Sequence, residues 1–150
     1  MQMRTKLAAA LVLAATAASA HAQSKPEDSI LYRQGVFKAQ RWNLLPMAMM
    51  VQGKMPYDQA AFLMRAQRLD QLSKMAWEGF GPGTDAGAPT KARAEIWSNA
   101  TGFKQAQDAF QAETPKLVAA AQSGNMDQIK AAFSGVVKTC DNCHDNFRSK

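Results

Sequence analysis

The chain has 150 residues, of which 47% are hydrophobic and 20% are charged, and its formal net charge is +6. This length suits one domain with a single core and excludes a protein of several domains. The basic residues form no block and do not alternate with aromatic residues, so no nucleic-acid-binding surface is evident. Their even distribution favours acidic partners.

An export signal is predicted at the N-terminus. Arg4 and Lys6 precede the apolar run Leu7–Ala18, which is too short to span a bilayer and suits the centre of a secretory signal. We predict cleavage after Ala22, and an uncleaved membrane anchor is the alternative. The chain is thus divided into a signal peptide at 1–22 and one domain at 23–150. Loss of Arg4 and Lys6 leaves 16 basic and 12 acidic residues, a net charge of +4.

The first helix is predicted from Pro26 to Gln52. Proline suits the first helical turn, and the two acidic residues after it complement the helix dipole. The apolar residues of this segment recur every seven positions, at Ile30, Phe37, Leu44 and Val51. Pro46 interrupts the segment, so we expect a kink near it.

A second helix follows a turn at 55–58, and its apolar side extends from Phe62 to Phe80. The next stretch, Phe80 to Thr90, contains three Gly and two Pro, which forbids a helix and predicts the one long loop of the chain. Two interpretations of this loop stay open, a lid over a bound group and a crossover between helices.

The third helix is predicted from about Ala92 to Ser123. Its apolar residues fall at strict seven-residue intervals, at Ile96, Phe103, Phe110 and Leu117. Because Leu117 keeps this interval beyond Pro115, we predict one kinked helix rather than two.

The fourth helix begins after Gly124. Asn125 is predicted to cap it, with Gln128 placed to complete a capping box. The apolar stripe of this helix consists of Ile129, Phe133, Val136, Cys140, Cys143 and Phe147. Four such helices, with no strand signal and mostly short connections, predict an all-α fold, an antiparallel four-helix bundle.

The chemistry lies in the segment Cys140-Asp141-Asn142-Cys143-His144. At this spacing two thiols bind both vinyl groups of one haem as thioethers, and the following imidazole ligates its iron. On a helix the three side chains lie within an arc of about 100°. We therefore predict one covalent haem c in the bundle core, attached through Cys140 and Cys143, with His144 as the metal ligand. Haem attachment of this kind agrees with export to the periplasm.

Other readings of the segment explain less. A structural zinc site needs four ligands, and the mature chain offers these three alone. A thioredoxin-like Cys-x-x-Cys needs a βαβ context, and a plain disulfide leaves His144 without a role.

The sixth position of the iron decides the function. No Met or His follows His144, and the nearest upstream candidate, Met47, lies about 15 Å along the helix from Phe37. Antiparallel packing would bring the start of the first helix beside the end of the fourth, so we expect Arg33, Gln34 and Phe37 at the level of the haem. Phe37 belongs to the apolar stripe and is predicted to face the iron.

The chain resembles the cytochrome c′ family. The matching segments are Lys25-Pro26-Glu27-Asp28, Tyr32-Arg33-Gln34, Phe80-Gly81-Pro82-Gly83-Thr84, Glu95-Ile96-Trp97, and Cys140 to His144 with Arg148. The resemblance implies a high-spin, five-coordinate haem c that binds NO and CO, and a homodimer packed through the first two helices.

The resemblance also implies roles for several side chains. Arg33 and Gln34 would contact the haem propionates, and the alternative is that both are solvated at a helix edge. Arg93 and Glu95 are weaker contact candidates. Arg148 would lie near the proximal side of the haem, on the helix face of His144. Phe37 stands where members of the family often have Leu.

Two classes of function remain from the sequence. One is a periplasmic haem protein that binds or buffers NO at an open site, and the other is a six-coordinate electron-transfer cytochrome of the same fold with an unknown redox partner. An enzyme such as a peroxidase is not predicted, because the mature chain has no second His to act as a distal acid or base.

Overall fold

A computed structural model describes residues 25–150, and the predicted signal peptide with its cleavage site lies outside the described residues. Five α-helices and one 3₁₀ helix make up the described part of the chain. In chain order they are α1 (Pro26–Val51), α2 (Gln59–Leu72), a 3₁₀ helix (Ala76–Phe80), α3 (Glu95–Ser98), α4 (Ala100–Ser123) and α5 (Met126–Phe147). Among these residues no helix is long and apolar enough to cross a membrane.

The predicted all-α four-helix bundle is confirmed. The four long helices α1, α2, α4 and α5 form it, with α4 packed against α5 and α2, and α1 packed against α2 and the 3₁₀ helix. A core cluster of buried residues lies in the part of the bundle where α1 ends and α2 begins. It contains Met47, Met50, Phe62, Ala66, Leu69, Phe110, Leu117, Ala120, Ala121, Ile129, Phe133 and Val136.

The second predicted helix is shorter than expected, since α2 ends at Leu72 rather than continuing to Phe80. The carbonyl of Ser73 accepts hydrogen bonds from the Trp77 indole and from the Gln111 amide, so side chains satisfy a group that would otherwise extend the helix. The chain then forms the 3₁₀ helix. Gly79 within it lies so close to α1 that a Cβ atom would stand 2.8 Å from the Cβ of Arg33.

The third predicted helix is interrupted, but not at Pro115, which lies inside α4. The break is at Asn99, where φ is −120° and ψ is 58°, and the Asn99 side chain accepts a hydrogen bond from the Gly102 amide. Asparagine is a strong N-cap, so a new helix begins there and α3 remains a single turn. The predicted start at Ala92 is also wrong, because residue 92 forms an isolated antiparallel bridge with Arg148.

The start of α5 agrees with prediction in part. Gly124 has a left-handed φ of 67°, and the Asn125 side chain accepts hydrogen bonds from the amides of Asp127 and Gln128. The second half of the predicted capping box is absent among these residues, since the Asn125 amide donates to the Ser123 hydroxyl instead. Helix α5 is therefore capped by Asn125 alone, and this cap fixes where the haem-motif helix begins.

Candidate haem site

The motif lies on the last two turns of α5. Cys140 and Cys143 are half-buried free thiols, and burial raises the pKa of both, that of Cys140 to about 11. Burial and the neighbouring Arg148 lower the pKa of His144. The neutral imidazole, which is the form that ligates a metal, is thus favoured at neutral pH. In the described part of the chain no three His, Cys, Asp or Glu residues converge as a metal site.

An aromatic cluster extends from α1 to the end of α5. The ring centroids of Phe37 and Phe80 are 6.2 Å apart, those of Phe80 and Phe103 are 5.0 Å apart, and those of Phe103 and Phe147 are 5.3 Å apart. Phe147 comes three residues after His144. The contacts therefore connect the predicted distal residue with the helix that carries the motif.

The cluster remains accessible at this end of the bundle. Five of its large aromatic residues are half-buried rather than fully buried: Phe37, Trp77, Phe80, Trp97 and Phe103. Because these half-buried rings contact one another, their exposed edges form an apolar surface that a flat apolar macrocycle could cover.

Arg33 is almost fully buried, with 2% of its surface exposed. Its guanidinium donates hydrogen bonds to the Gly79 carbonyl at 2.8 Å, to the Thr84 hydroxyl at 3.0 Å and to the Thr90 hydroxyl at 3.1 Å. It also stacks over the Phe80 ring, 4.4 Å from the centroid. The solvated alternative for Arg33 is therefore wrong. Sequence reasoning missed its contacts with the loop, because its partners are 46 to 57 residues away in the chain.

Arg33 forms no ion pair within the described residues. Burial lowers its pKa, and the nearby charge of Asp85 opposes this shift only in part. A buried cation with neutral acceptors retains a favourable interaction with any anionic group placed beside it. A haem propionate is such a group.

The long loop is attached to α1 rather than free. The Gln34 amide donates to the Pro89 carbonyl at 2.8 Å, next to the Arg33 contacts with Thr84 and Thr90. The loop thus lies against the start of α1, on the side of the aromatic cluster. This position is compatible with both interpretations of the loop, the lid over a bound group and the crossover between helices, and both stay predictions.

Arg93 and Glu95 bind each other. Their side chains form an ion pair, which lowers the Glu95 pKa, and the Arg93 guanidinium also reaches the Asp145 carbonyl at 3.5 Å. Both residues line a cleft of about 400 Å³ beside the polar side of α5, with Asn142 among the other lining residues. They hold the α3 turn close to the motif helix, and their contact with a haem stays a prediction.

Arg148 does not continue the helix. Its φ is −128° and its ψ is 132°, so it follows α5 as extended chain, and the predicted placement on the helix face of His144 is wrong. Its amide donates to the His144 carbonyl at 3.1 Å. On either side, the Arg93 amide donates to the Phe147 carbonyl and the Ser149 amide to the Lys91 carbonyl. These bonds fasten the end of the motif helix to the segment after the loop.

The residues present fit a covalently bound haem. The donor set contains two thiols and one imidazole on one helix, an apolar aromatic surface reaches Phe147 on that same helix, and the buried cation Arg33 has no ion-pair partner in the part described. The thiols would hold the macrocycle, His144 would ligate its iron, and Arg33 would stabilise a propionate.

A four-helix bundle that carries Cys-x-x-Cys-His on its last helix has the architecture of a bundle-type c-type cytochrome. The profile of the family described as Cytochrome C' matches residues 28–148. A cytochrome c′ of Alcaligenes xylosoxydans xylosoxydans is 43% identical over 127 residues, which cover 85% of this chain and 98% of that relative. The chain belongs to the cytochrome c′ family, and the resemblance seen in the sequence is confirmed.

Solved structures agree with this assignment. Cytochrome c′ of Rubrivivax gelatinosus is similar with a TM-score of 0.81 and 41% identity, covering 84% of this chain and 98% of that one. Two mutants of cytochrome c prime from Alcaligenes xylosoxidans are also similar, one solved as a nitric oxide complex and the other with bound carbon monoxide. Each has a TM-score of 0.79 and 43% identity, and each alignment covers 85% of this chain and 98% of the other chain.

Proposed function

We propose that this protein is a periplasmic cytochrome with one haem c, attached through Cys140 and Cys143, whose iron has His144 as its single protein ligand. A haem held by these residues would supply an iron that binds small gases. In this proposal NO and CO bind on the face of the haem that Phe37 covers. The function is to bind and buffer NO, and the chain has no catalytic role. Transfer of electrons to an unknown redox partner is compatible with the same site.

The position of Met47, the upstream ligand candidate considered from the sequence, carries the five-coordinate proposal. A six-coordinate electron-transfer cytochrome would need a Met or a second His beside the haem. Met47 has no exposed surface and packs in the apolar core with Phe62 and Leu69. Phe37, which cannot ligate iron, contacts Trp77 and Phe80 at the haem end. These contacts favour an open sixth position over the six-coordinate alternative.

The aromatic surroundings of Phe37 favour neutral gases. An anion that enters an apolar pocket loses its hydration without gaining a hydrogen-bond donor. O2 as a ligand would also need a polar hydrogen-bond donor, which Phe37 does not supply, whereas NO and CO would depend less on one. The nitric oxide and carbon monoxide complexes of mutants of the Alcaligenes xylosoxidans protein support this proposal.

We expect the variant Phe37→Met to convert the haem from high-spin to low-spin. The substitution replaces an aromatic ring with a thioether at the position proposed to face the iron, where sulfur can coordinate. Absorption spectra of the ferric and ferrous protein measure the change. Phe37→Leu is the matched control, since it also removes the ring but adds no ligand, and it should stay high-spin. A low-spin wild type would contradict the assignment of Phe37.

Titration of the ferrous protein should show binding of NO and CO and no stable oxygenated form. The ferric protein should bind azide weakly, because the pocket offers an anion no donor. Arg148→Ala should alter NO binding more than CO binding, since the resemblance implies that Arg148 would lie on the proximal side of the haem, where it would influence a second mode of NO binding. Stable oxygenation or tight azide binding would reject the apolar pocket, and failure to bind NO would favour electron transfer.

Export is tested by the mass of the mature protein. We expect a mass equal to residues 23–150 plus one haem, recovered from the periplasmic fraction. Recovery of the full chain in the membrane fraction would support the uncleaved anchor instead.

A homodimer through α1 and α2 is the remaining part of the proposal. Helix α1 has a second apolar stripe that points away from the core and is exposed to solvent. It consists of Leu31, Trp42, Leu45 and Met49, with exposed fractions of 54%, 74%, 47% and 40%. At about 100° per residue these four lie within an arc of roughly 60°. An exposed apolar stripe of this kind is typical of an interface, and we assign it to a second copy of the chain.

A further inference from the structure

Trp77 of the 3₁₀ helix connects Phe37 with the interior of the bundle. The ring centroids of Trp77 and Phe37 are 6.2 Å apart, and the two rings meet edge to face. The indole also contacts two rings of α4, Phe103 at 5.9 Å and Phe110 at 6.5 Å. Phe110 belongs to the buried core, with 6% of its surface exposed. Through Trp77, the ring proposed to face the iron is thus packed against the core.

One hydrogen bond fixes the orientation of this indole. Its Nε1 donates to the Ser73 carbonyl, and Ser73 has no exposed surface. The amide of Gln111, on α4, donates to the same carbonyl at 3.2 Å. An indole has one N–H, so Trp77 cannot turn away from its neighbours without losing this bond.

Further hydrogen bonds tie the acceptor of the indole to α4. Ser73 Oγ donates to the Asp70 carbonyl at 2.7 Å, and Thr114 Oγ1 of α4 donates to the Asp70 carboxylate at 2.8 Å. Thr114 has no exposed surface, so its bond to that carboxylate is shielded from water. The Ser73 carbonyl is therefore part of the contact between α2 and α4 rather than of a loose helix end.

Phe80 restricts Phe37 as well. The ring centroids of these two residues are 6.2 Å apart, and the Phe80 centroid lies 5.0 Å from that of Phe103 and 4.4 Å from Arg33 Cζ. A ring that covers the iron occupies the space that a ligand needs, so a gas binds there only when Phe37 moves. Because packed side chains leave few voids, Phe37 moves only as far as its neighbouring rings give way.

We propose that Trp77 is a positioning residue for gas binding: bonded to the Ser73 carbonyl, it holds Phe37 over the iron and thereby limits how fast a neutral gas reaches it. Trp77 acts through Phe37 and does not touch the gas itself. Gln111 takes part by holding the shared carbonyl from α4. This inference rests on the gas-binding function proposed above and assigns the residue that controls entry.

The rate at which CO associates with the ferrous holoprotein tests this proposal, and flash photolysis measures it. Trp77→Phe keeps an aromatic ring but makes it smaller and removes the N–H. We expect CO association to become about 10-fold faster, the order expected when one buried hydrogen bond no longer opposes the movement. In a Phe37→Ala background the covering ring is already gone, so Trp77→Phe should then change the rate by less than about 2-fold.

Gln111→Leu tests the hydrogen bond without changing any ring. It removes a donor to the Ser73 carbonyl, so that carbonyl is held less firmly from α4, and we expect CO association to become about 3-fold faster. Gln59→Leu is the matched control. The Gln59 amide donates to the Ala121 and Gln122 carbonyls at the end of α4, away from the aromatic cluster, so this variant should leave the rate unchanged.

Crystal structures of the ligand-free holoprotein give a second readout. Phe37 should have one orientation in the wild type and two in Trp77→Phe, because the smaller ring leaves space beside it. The absorption spectrum should stay that of the wild type, since no ligand of the iron changes. A single, unchanged orientation of Phe37 in Trp77→Phe would overturn the inference.

The kinetic outcomes separate this inference from the function on which it rests. A wild type that binds neither CO nor NO would reject both. A wild type that binds CO at a rate that Trp77→Phe leaves unchanged, or changes equally without Phe37, would overturn the role of Trp77 and retain gas binding. If Trp77→Phe takes up no haem, Gln111→Leu decides by the same two criteria, since it leaves every ring of the cluster in place.

Discussion

Replacing both Cys140 and Cys143 with Ala should abolish the haem that remains on the chain after extraction with acid and acetone. These thiols are the only two in the sequence, so the double variant has no atom left that can form a thioether. Wild-type chain should retain one haem per molecule after the same treatment. Absorbance of the denatured chain and its mass measure the result.

Each single variant refines this experiment. Cys140→Ala or Cys143→Ala leaves one thiol, so we expect haem held through one thioether and a lower yield of loaded protein. Ser134→Ala on the exposed side of α5 is the control and should retain full haem. Full haem on the denatured double variant would rule out thioether attachment.

Arg33→Met should lower the stability of the protein far more than the loss of an exposed arginine from α1. Methionine keeps the apolar stem but removes the guanidinium, so the Gly79 carbonyl and the Thr84 and Thr90 hydroxyls lose their donor. Unpaired buried groups of this kind cost on the order of 3 kcal/mol in total. We expect the melting temperature of the holoprotein to fall by about 10 °C.

The control for Arg33 is another arginine of the same helix. Arg41 is exposed, and Arg41→Met should change the free energy of unfolding by less than about 0.5 kcal/mol. Arg33→Lys should fall between the two, since a single ammonium cannot reproduce the planar donor geometry. Equal effects of Arg33→Met and Arg41→Met would show that the buried contacts of Arg33 do not stabilise the loop.

Local patterns in the sequence were sufficient to predict some elements. The seven-residue spacing of apolar residues predicted the long helices, because one face of a helix must be buried in a bundle. Gly124 and Asn125 predicted the boundary between α4 and α5, since a left-handed glycine and an asparagine cap act over a few residues. Predictions failed where tertiary contacts overrode the apolar spacing of a segment. Helix α2 ends before the predicted Phe80, and the side chains of Trp77 and Gln111 bind the Ser73 carbonyl at its end.

The residues of the predicted site also form two groups, those whose position follows from local spacing and those whose position depends on tertiary contacts. Cys140, Cys143 and His144 share one helix face wherever that helix packs, so their grouping follows from the spacing alone. The surroundings of Arg33 do not follow from spacing, because its acceptors lie in a loop far along the chain. The extended position of Arg148 depends on pairing with residues 91–93, for which the sequence carries no recognisable signal.

The sequence by itself determined the helix periods, the haem-binding motif and the family, since each depends on residue type and spacing within a short segment. The tertiary structure decided which side chains of α1 are buried and which are exposed. Arg33 and Trp42 are both large residues on that helix, and the loop and the 3₁₀ helix cover the first, whereas no part of residues 25–150 covers the second. Burial depends on neighbours brought together by packing, and that packing placed a cation in the interior and an indole on the surface.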